Sequence, residues 1–315
     1  KAAIIRIVKA AEIVIITAGS AGLLMAAYGY AVESIAIPLM LLALFAMGVH
    51  STFFGPIKYA ILPQHLHDDE VLGGTGLVEA GTYIAILLGT ILAGLISVKA
   101  AAFAVVFTAI IGYASGRHVP PALPERDAPV VDWNLFRSSW RLVSDTMHIR
   151  CLFLAIVSIS FFWSVGSILF IQFPPLAKNV LTADKAVASL FLGVFSIGIA
   201  IGSVAVNRLL KGAVSARYSK ASVLVMAGFI VAFHFVCRVW PAKPEGLYTL
   251  TEVLTQPMAA PLLLTLLGIA VAGGMFVVPL YAFLTTTVAK SAAARTIAAN
   301  NIVNSLAMVA GSLVA

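Results

Sequence analysis

Two ionisable residues stand where chemistry would be hardest to place. Lys58 lies near the end of a long apolar run, and Glu79 lies more than one turn inside the next. A charge at such a position is costly unless it is paired or wetted, so each is a candidate for function. Lys58 can attract an anionic group inside a cavity, or it can snorkel to an interface as terminal lysines do. Glu79 can face a cavity and meet a cation, act as a gate by pairing with Lys58, or form a fixed structural ion pair. His50, Phe53 and Phe54 share a helical side by 3–4 spacing and could supply a polar group and an aromatic wall. A packed histidine is the plainer reading. Trp163, Gln172, Tyr281, Asn300, Asn301 and Asn304 are polar or amphipathic side chains on other apolar runs. They can bind a ligand or cross-link helices.

Other patterns point to less. His65, His67, Asp68, Asp69 and Glu70 have the residue types of a metal site but fall in a short turn between two apolar runs. They read as a solvated loop, and no metal or cofactor is expected. Cys151 and Cys237 stand far apart, so neither a disulfide framework nor a zinc site is expected. Gly198 and Gly202 form a GxxxG pattern that permits close helix packing. No clustered nucleophile or metal set of an integral-membrane enzyme occurs on the apolar runs, and no series of buried acids suggests a proton relay.

The elements that position these residues follow from composition. The chain has 315 residues, 61% hydrophobic and 10% charged, with a mean hydropathy of +1.03. So few charges cannot cover a water-facing surface, whereas soluble domains carry about 25%. Apolar runs at about 4–28, 35–62, 74–97, 99–116, 151–173, 187–208, 221–239, 260–287 and from about 297 are each long enough, or nearly so, to span a bilayer. In lipid their backbone groups must pair within the segment, which predicts nine helices in an all-α integral membrane protein. Most of the 20 lysines and arginines fall on one set of ends and loops, which should be cytoplasmic. The net charge of +7 reflects this sidedness and does not imply a nucleic-acid partner.

The stretch 117–150 opens with Pro120, Pro121 and Pro124, which favour an extended linker. In its second part Trp133, Phe136, Trp140 and Val143 recur at helical spacing, with Asp132 as a candidate cap. This predicts an amphipathic helix on the cytoplasmic membrane surface.

An internal echo organises the chain. Pro56 and Tyr59 are answered by Pro279 and Tyr281, and 86–93 is answered by 308–315, all about 222 residues apart. Gly76, Leu77, Val78 and Glu79 also resemble Asn301, Ile302, Val303 and Asn304. The offset leaves two spans of the second half without partners, which would precede Lys1. A last span would likewise follow Ala315. The expected plan is two six-helix bundles of the major facilitator type, with the substrate path between them. Residues 1–116 would hold spans three to six, 117–150 the cytoplasmic linker, and 151–315 spans seven to eleven.

The residues 50–62 followed by Gly76 to Glu79, the run Ser160, Phe161, Phe162, Trp163, the stretch from Gly202 through Asn207, Arg208, Lys211 and Gly212, and 295–304 together resemble bacterial lysophospholipid transporters of the major facilitator superfamily. The resemblance implies import of a one-chain phospholipid, such as lysophosphatidylethanolamine, across the bacterial inner membrane. It also implies reacylation by a cytoplasmic acyltransferase/acyl-carrier-protein synthetase, separate or fused. Nothing in the 315 residues resembles those enzyme domains. On this reading Lys58 attracts the lipid phosphate and Glu79 the amine of the head group. The loop with Asn207, Arg208 and Arg217 latches helices on the cytoplasmic side. Two departures stand out. An acidic position of the family's first span would precede Lys1, and 167–170 lacks the arginine that stand-alone members can carry there. The two halves would rock about the cavity in facilitated movement without strong ion coupling. A permease or exporter of another small or amphipathic molecule is the competing expectation.

Overall fold

The computed structural model describes residues 2–122, 134–290 and 292–314. Among them, nine helices are long and apolar enough to cross a membrane. These are α1 (Ala2–Ala27), α2 (Ile37–Ala60), α4 (Val71–Leu95), α5 (Val98–Arg117), α7 (Arg150–Pro175), α8 (Lys185–Leu210), α9 (Ser219–Arg238), α11 (Ala259–Thr286) and α12 (Ala293–Val314). Short helices α3 (Leu62–His65), α6 (Leu135–Met147) and α10 (Leu250–Thr255) lie between them. One π-helical turn at Val32–Ala36 leads into α2, and another at Leu176–Val180 follows Pro174 and Pro175 at the end of α7.

Helix ends follow local chemistry. The Asp184 side chain accepts from the Ala186 and Val187 N–H groups, starting α8, and Ser97 does the same for α5 through Ala100. The end of α8 turns through Lys211 and Gly212, both with positive φ, where glycine carries no Cβ penalty. Thr249 and Glu252 form a capping box at α10. Glu252 also takes a hydrogen bond from Lys243, which holds its carboxyl below the usual 4.5.

The amphipathic helix is present as α6. Its cap is Asn134, which accepts from the Arg137 N–H at 3.0 Å. Asp132 and Trp133 lie outside the described residues. Phe136 and Trp140 point away from the protein, at 91% and 79% exposure, while Thr146 is buried. Leu142, Asp145 and Thr146 of α6 line a cavity with Arg295 and Thr296 of α12.

The helices pack with a repeated pattern. α1 lies on α2 in the first part of the chain, and α9 lies on α11 in the second. α1 also packs on α5, and α7 on α12. The two parts meet along α4 with α8 and along α2 with α12. The main partners of α4 are α8 and α11 of the second part, not α1, α2 or α5. Small residues bring these helices close. A Cβ on Gly76 of α4 would sit 2.6 Å from the Ser203 carbonyl oxygen of α8. A Cβ on Gly202 would run into the Val271 carbonyl of α11, and one on Gly274 would sit 2.5 Å from the Ile199 carbonyl oxygen of α8. The GxxxG pattern of α8 is therefore a contact surface against α11. In lipid, where burial against a neighbour removes no water, such close packing is a main source of helix association.

Gly202→Val should overpack the α8–α11 contact and destabilise the folded protein by about 1–3 kcal/mol. Gly228→Ala, where nothing lies within 4 Å of the added carbon, should not. Thermal unfolding in detergent checks the pair: the first variant should melt clearly below the wild type, the second at or above it.

Candidate functional site

Pro56 and Pro279 lie inside α2 and α11 at matching points of the repeat, and the tyrosines that follow them meet. The rings of Tyr59 and Tyr281 stack with centroids 4.7 Å apart and planes within 6°. The two echoed residues of the sequence thus touch across the boundary between its two parts. Both rings are buried, and each hydroxyl is tied to its own half. The Tyr59 hydroxyl donates to the Glu79 carboxylate on α4. The Tyr281 hydroxyl accepts from Trp163 Nε1 at 2.8 Å and from Asn304 Nδ2 at 3.5 Å. Ser160 in turn donates to Asn304 Oδ1 at 2.6 Å. Glu79 and Asn304, matched in the sequence echo, thus each bond the hydroxyl of their tyrosine, Glu79 as acceptor and Asn304 as donor.

This cluster forms one wall of a cavity of about 310 Å³ between α2, α7, α11 and α12. Gly48, Ser51, Thr52, Gly55, Lys58 and Tyr59 line it from α2, and Asn301, Asn304, Ser305 and Met308 from α12. Lys58 Nζ sits 4.7 Å over the Tyr59 ring, a cation–π contact worth about 0.5–2 kcal/mol. A second cavity of about 220 Å³ adjoins it and shares Trp163 and Met308 with it. Its other walls are Tyr83, Phe162, Gly166, Ser167, Phe170 and Ile171. A polar chamber with a cation thus opens beside a mostly apolar one, and the indole of Trp163 borders both.

The sequence candidates separate in space. Lys58, Trp163, Tyr281, Asn301 and Asn304 come together at the cavity. Glu79 is buried behind Tyr59 and does not line it; among the described residues it forms no ion pair with Lys58, and Tyr59 touches both. Asn300 is buried beside Asn301, toward which its amide donates at 3.4 Å. His50 and Phe54 lie on the opposite face of α2, against α1, and Phe53 is exposed. The 3–4 spacing fixes which of these residues can share a side, not which side meets the cavity. Gln172, next to Ile171 on α7, is not among the residues that line either cavity. Asn207 packs against Gly73 where α8 meets α4, and Gly212 sits against the Asp69 carbonyl. That joins the loop after α8 to the turn before α4. Arg208 and Arg217 are exposed, Arg217 over the Tyr218 ring. In the His65–Glu70 turn, the Glu70 carboxylate accepts from the His67 N–H, and no metal-holding group of side chains occurs among the described residues.

The sequence alone does not single out Tyr59, Ser160 and Met308 as site residues. The echo with Tyr281 is the available signal for Tyr59. Nor does it single out Glu12 of α1, an acid well inside an apolar run, which lies 2.6 Å from Lys9 and 3.4 Å from His50.

Tyr59→Phe should leave a buried carboxylate without its donor and cost about 1–3 kcal/mol. Adding Glu79→Leu should recover part of that loss, because a pair removed together strands no polar group. A double-mutant cycle of melting temperatures measures this coupling; strict additivity would show that the bond carries no energy.

Residues 10–312 match the Major Facilitator Superfamily profile. The chain is similar to the lysophospholipid transporter LplT of Escherichia fergusonii, 28% identical over 277 residues, and to that of Citrobacter koseri, 28% over 276. Each alignment covers 83% of this chain and 62% of the relative, so the chain spans about three-fifths of their length. In fold it is similar to a bacterial homologue of the iron transporter ferroportin in an outward-facing state, with a TM-score of 0.66 at 13% identity, covering 99% of this chain and 74% of that one. It is also similar to the E. coli fucose:proton symporter, with a TM-score of 0.61 at 14% identity, covering 98% and 77%. The packing of the nine apolar helices among the described residues, with a cavity between two echoing parts, agrees with these matches: the chain is a multi-pass membrane protein and belongs to the major facilitator superfamily.

Proposed function

We propose that this chain carries lysophospholipids, such as lysophosphatidylethanolamine, across the bacterial inner membrane by exposing the cavity between its halves to each side in turn. The observation that carries this reading is the pairing of the two chambers across Trp163 and Met308. One offers Lys58, Asn301, Asn304 and Ser305; the other offers aromatic and aliphatic walls. A sugar has no use for the second and a hydrocarbon has no use for the first. A molecule with one charged head and one acyl chain uses both. The names of the similar transporters support the same substrate class.

The physical problem is the head group. Moving a bare phosphate through hydrocarbon is prohibitive unless polar groups replace its water. Lys58, held over the Tyr59 ring, supplies a point charge for the phosphate. Asn301, Asn304 and Ser305 supply hydrogen bonds for the glycerol and amine. The acyl chain gains about 0.8 kcal/mol per buried CH₂ relative to water, and the apolar chamber keeps it out of water throughout. Glu79 acts on this site through Tyr59, by fixing the ring that supports Lys58. Delivered to the cytoplasmic leaflet, the product is the substrate of a cytoplasmic acyltransferase/acyl-carrier-protein synthetase.

The test is uptake of fluorescent lysophosphatidylethanolamine into proteoliposomes, alongside a sugar and a drug panel. Wild type should move the lysolipid and not the panel. Lys58→Gln should slow it by about tenfold, equivalent to about 1.4 kcal/mol of lost head-group interaction. Lysolipid movement at the rate of empty liposomes, or equal movement of the panel, would overturn the reading.

A further inference from the structure

Helix α6 turns one side to the protein and leaves a second side bare. Thr146 is buried and, with Leu142, faces the Arg295 and Thr296 end of α12. Phe136 and Trp140 stand exposed on another side, with Val143 and Met147 in line behind them at helical spacing. A cavity of about 240 Å³ runs along this row, between α6 and the first turn of α7. Its walls are Trp140, Val143, Ser144, Met147, His148 and Phe153.

Beside the apolar row lies a polar one. Arg137, Arg141, Ser144 and His148 repeat the spacing of Phe136, Trp140, Val143 and Met147, one position on. Both arginines are exposed, and among the described residues neither forms an ion pair. Arg150 is exposed just beyond them. The acid of α6, Asp145, lines the other cavity with Arg295. His148 Nδ1 donates to the Ser144 carbonyl at 2.6 Å, which holds the imidazole at the groove. The groove also continues into a surface that must meet lipid. α7 is a candidate span, and Phe153, Val157 and Phe161, four residues apart, are all exposed along it. An exposed apolar stripe on a span faces acyl chains.

We infer that α6 and the start of α7 form a binding site for an anionic phospholipid of the leaflet at which α7 begins. One acyl chain lies in the groove against Trp140, Met147 and Phe153 and runs on along Val157 and Phe161. The head-group phosphate meets Arg137 and Arg141, with Ser144 and His148 beside it. A guanidinium suits this task, because its planar fork holds a phosphate through two parallel hydrogen bonds. Charge selects the occupant. Arginines without a protein partner, flanking an aromatic row, attract a lipid of net negative charge and favour a zwitterionic one less. Continuity with the α7 stripe favours a lipid over a protein partner, which would have to cover hydrocarbon-facing surface. None of the groove's lining is shared with either transport chamber. The lipid held here is therefore a resident of the protein and not its cargo, and the site does not depend on the lysolipid reading.

The full protein in detergent, titrated with brominated phosphatidylglycerol or brominated phosphatidylcholine, tests this. Bromine on an acyl chain quenches an indole that it touches, and the Trp140 signal is the part of the fluorescence lost in Trp140→Phe. Phosphatidylglycerol should quench that part at about thirtyfold lower concentration than phosphatidylcholine, about fivefold for each of the two arginines. Arg137→Gln combined with Arg141→Gln should bring the two lipids level, with Trp140 still quenched by both at high concentration. Equal quenching by the two lipids in the wild type would overturn the anionic site. A preference that survives in the double variant would overturn the arginine assignment. A Trp140 that neither lipid quenches would overturn the lipid occupant and leave the groove to a protein partner.

Discussion

Tyr59 and Tyr281 meet face to face where the two halves join, and most of the site hangs on that contact. Each ring is oriented by a polar group of its own half, Glu79 for one and Asn304 with Trp163 for the other. Offset or parallel stacking of two aromatic rings is worth about 0.5–1.5 kcal/mol beyond the area it buries. That is enough to favour one relative arrangement of the two parts. Both rings are buried, and the chain supplies partners for their hydroxyls, Glu79 and Asn304 at repeat-related positions and Trp163 besides. The stack then serves as a platform. Lys58 rests on one of its rings, and the cavity opens beside it.

The helices are legible in the sequence because the bilayer imposes a simple rule: long apolar segments, internally hydrogen-bonded. The observed spans begin and end within a few residues of the apolar runs. The echo between Pro56–Tyr59 and Pro279–Tyr281 is legible too, and it points to the place where the halves touch. Helical phase is not. His50 and Lys58 both lie on α2, and nothing local says which face meets a cavity when both faces are mostly apolar. Proximity between distant segments is also hidden: Glu12 and His50 are brought together only by the crossing of α1 on α2. Glu79 can be read from the sequence as an intramembrane acid, but its neighbour is the hydroxyl of Tyr59, a residue whose own chemistry draws no attention in isolation.

The two faces of α2 give the molecule its logic. One face carries the cavity lining, the other a charge cluster shared with α1. Between them runs a single helix with Pro56 inside it, whose missing N–H removes one bond of the backbone ladder. At one end of the bundles, α8 and its following turn close against α4 through glycines and Asn207, with Gly212 against Asp69. Close approach of this kind holds the two parts together at that end without a large apolar driving force.

If the two chambers form one binding site, a single amphipathic ligand must occupy both at once. A cryo-electron microscopy structure of the full protein in nanodiscs with lysophosphatidylethanolamine would show whether it does. Head-group density should appear with its phosphate beside Lys58, and an acyl chain should run past Trp163 toward Phe170 and Ile171. Lipid density confined to the outer surface of the helices, with both chambers free of it, would refute the shared site.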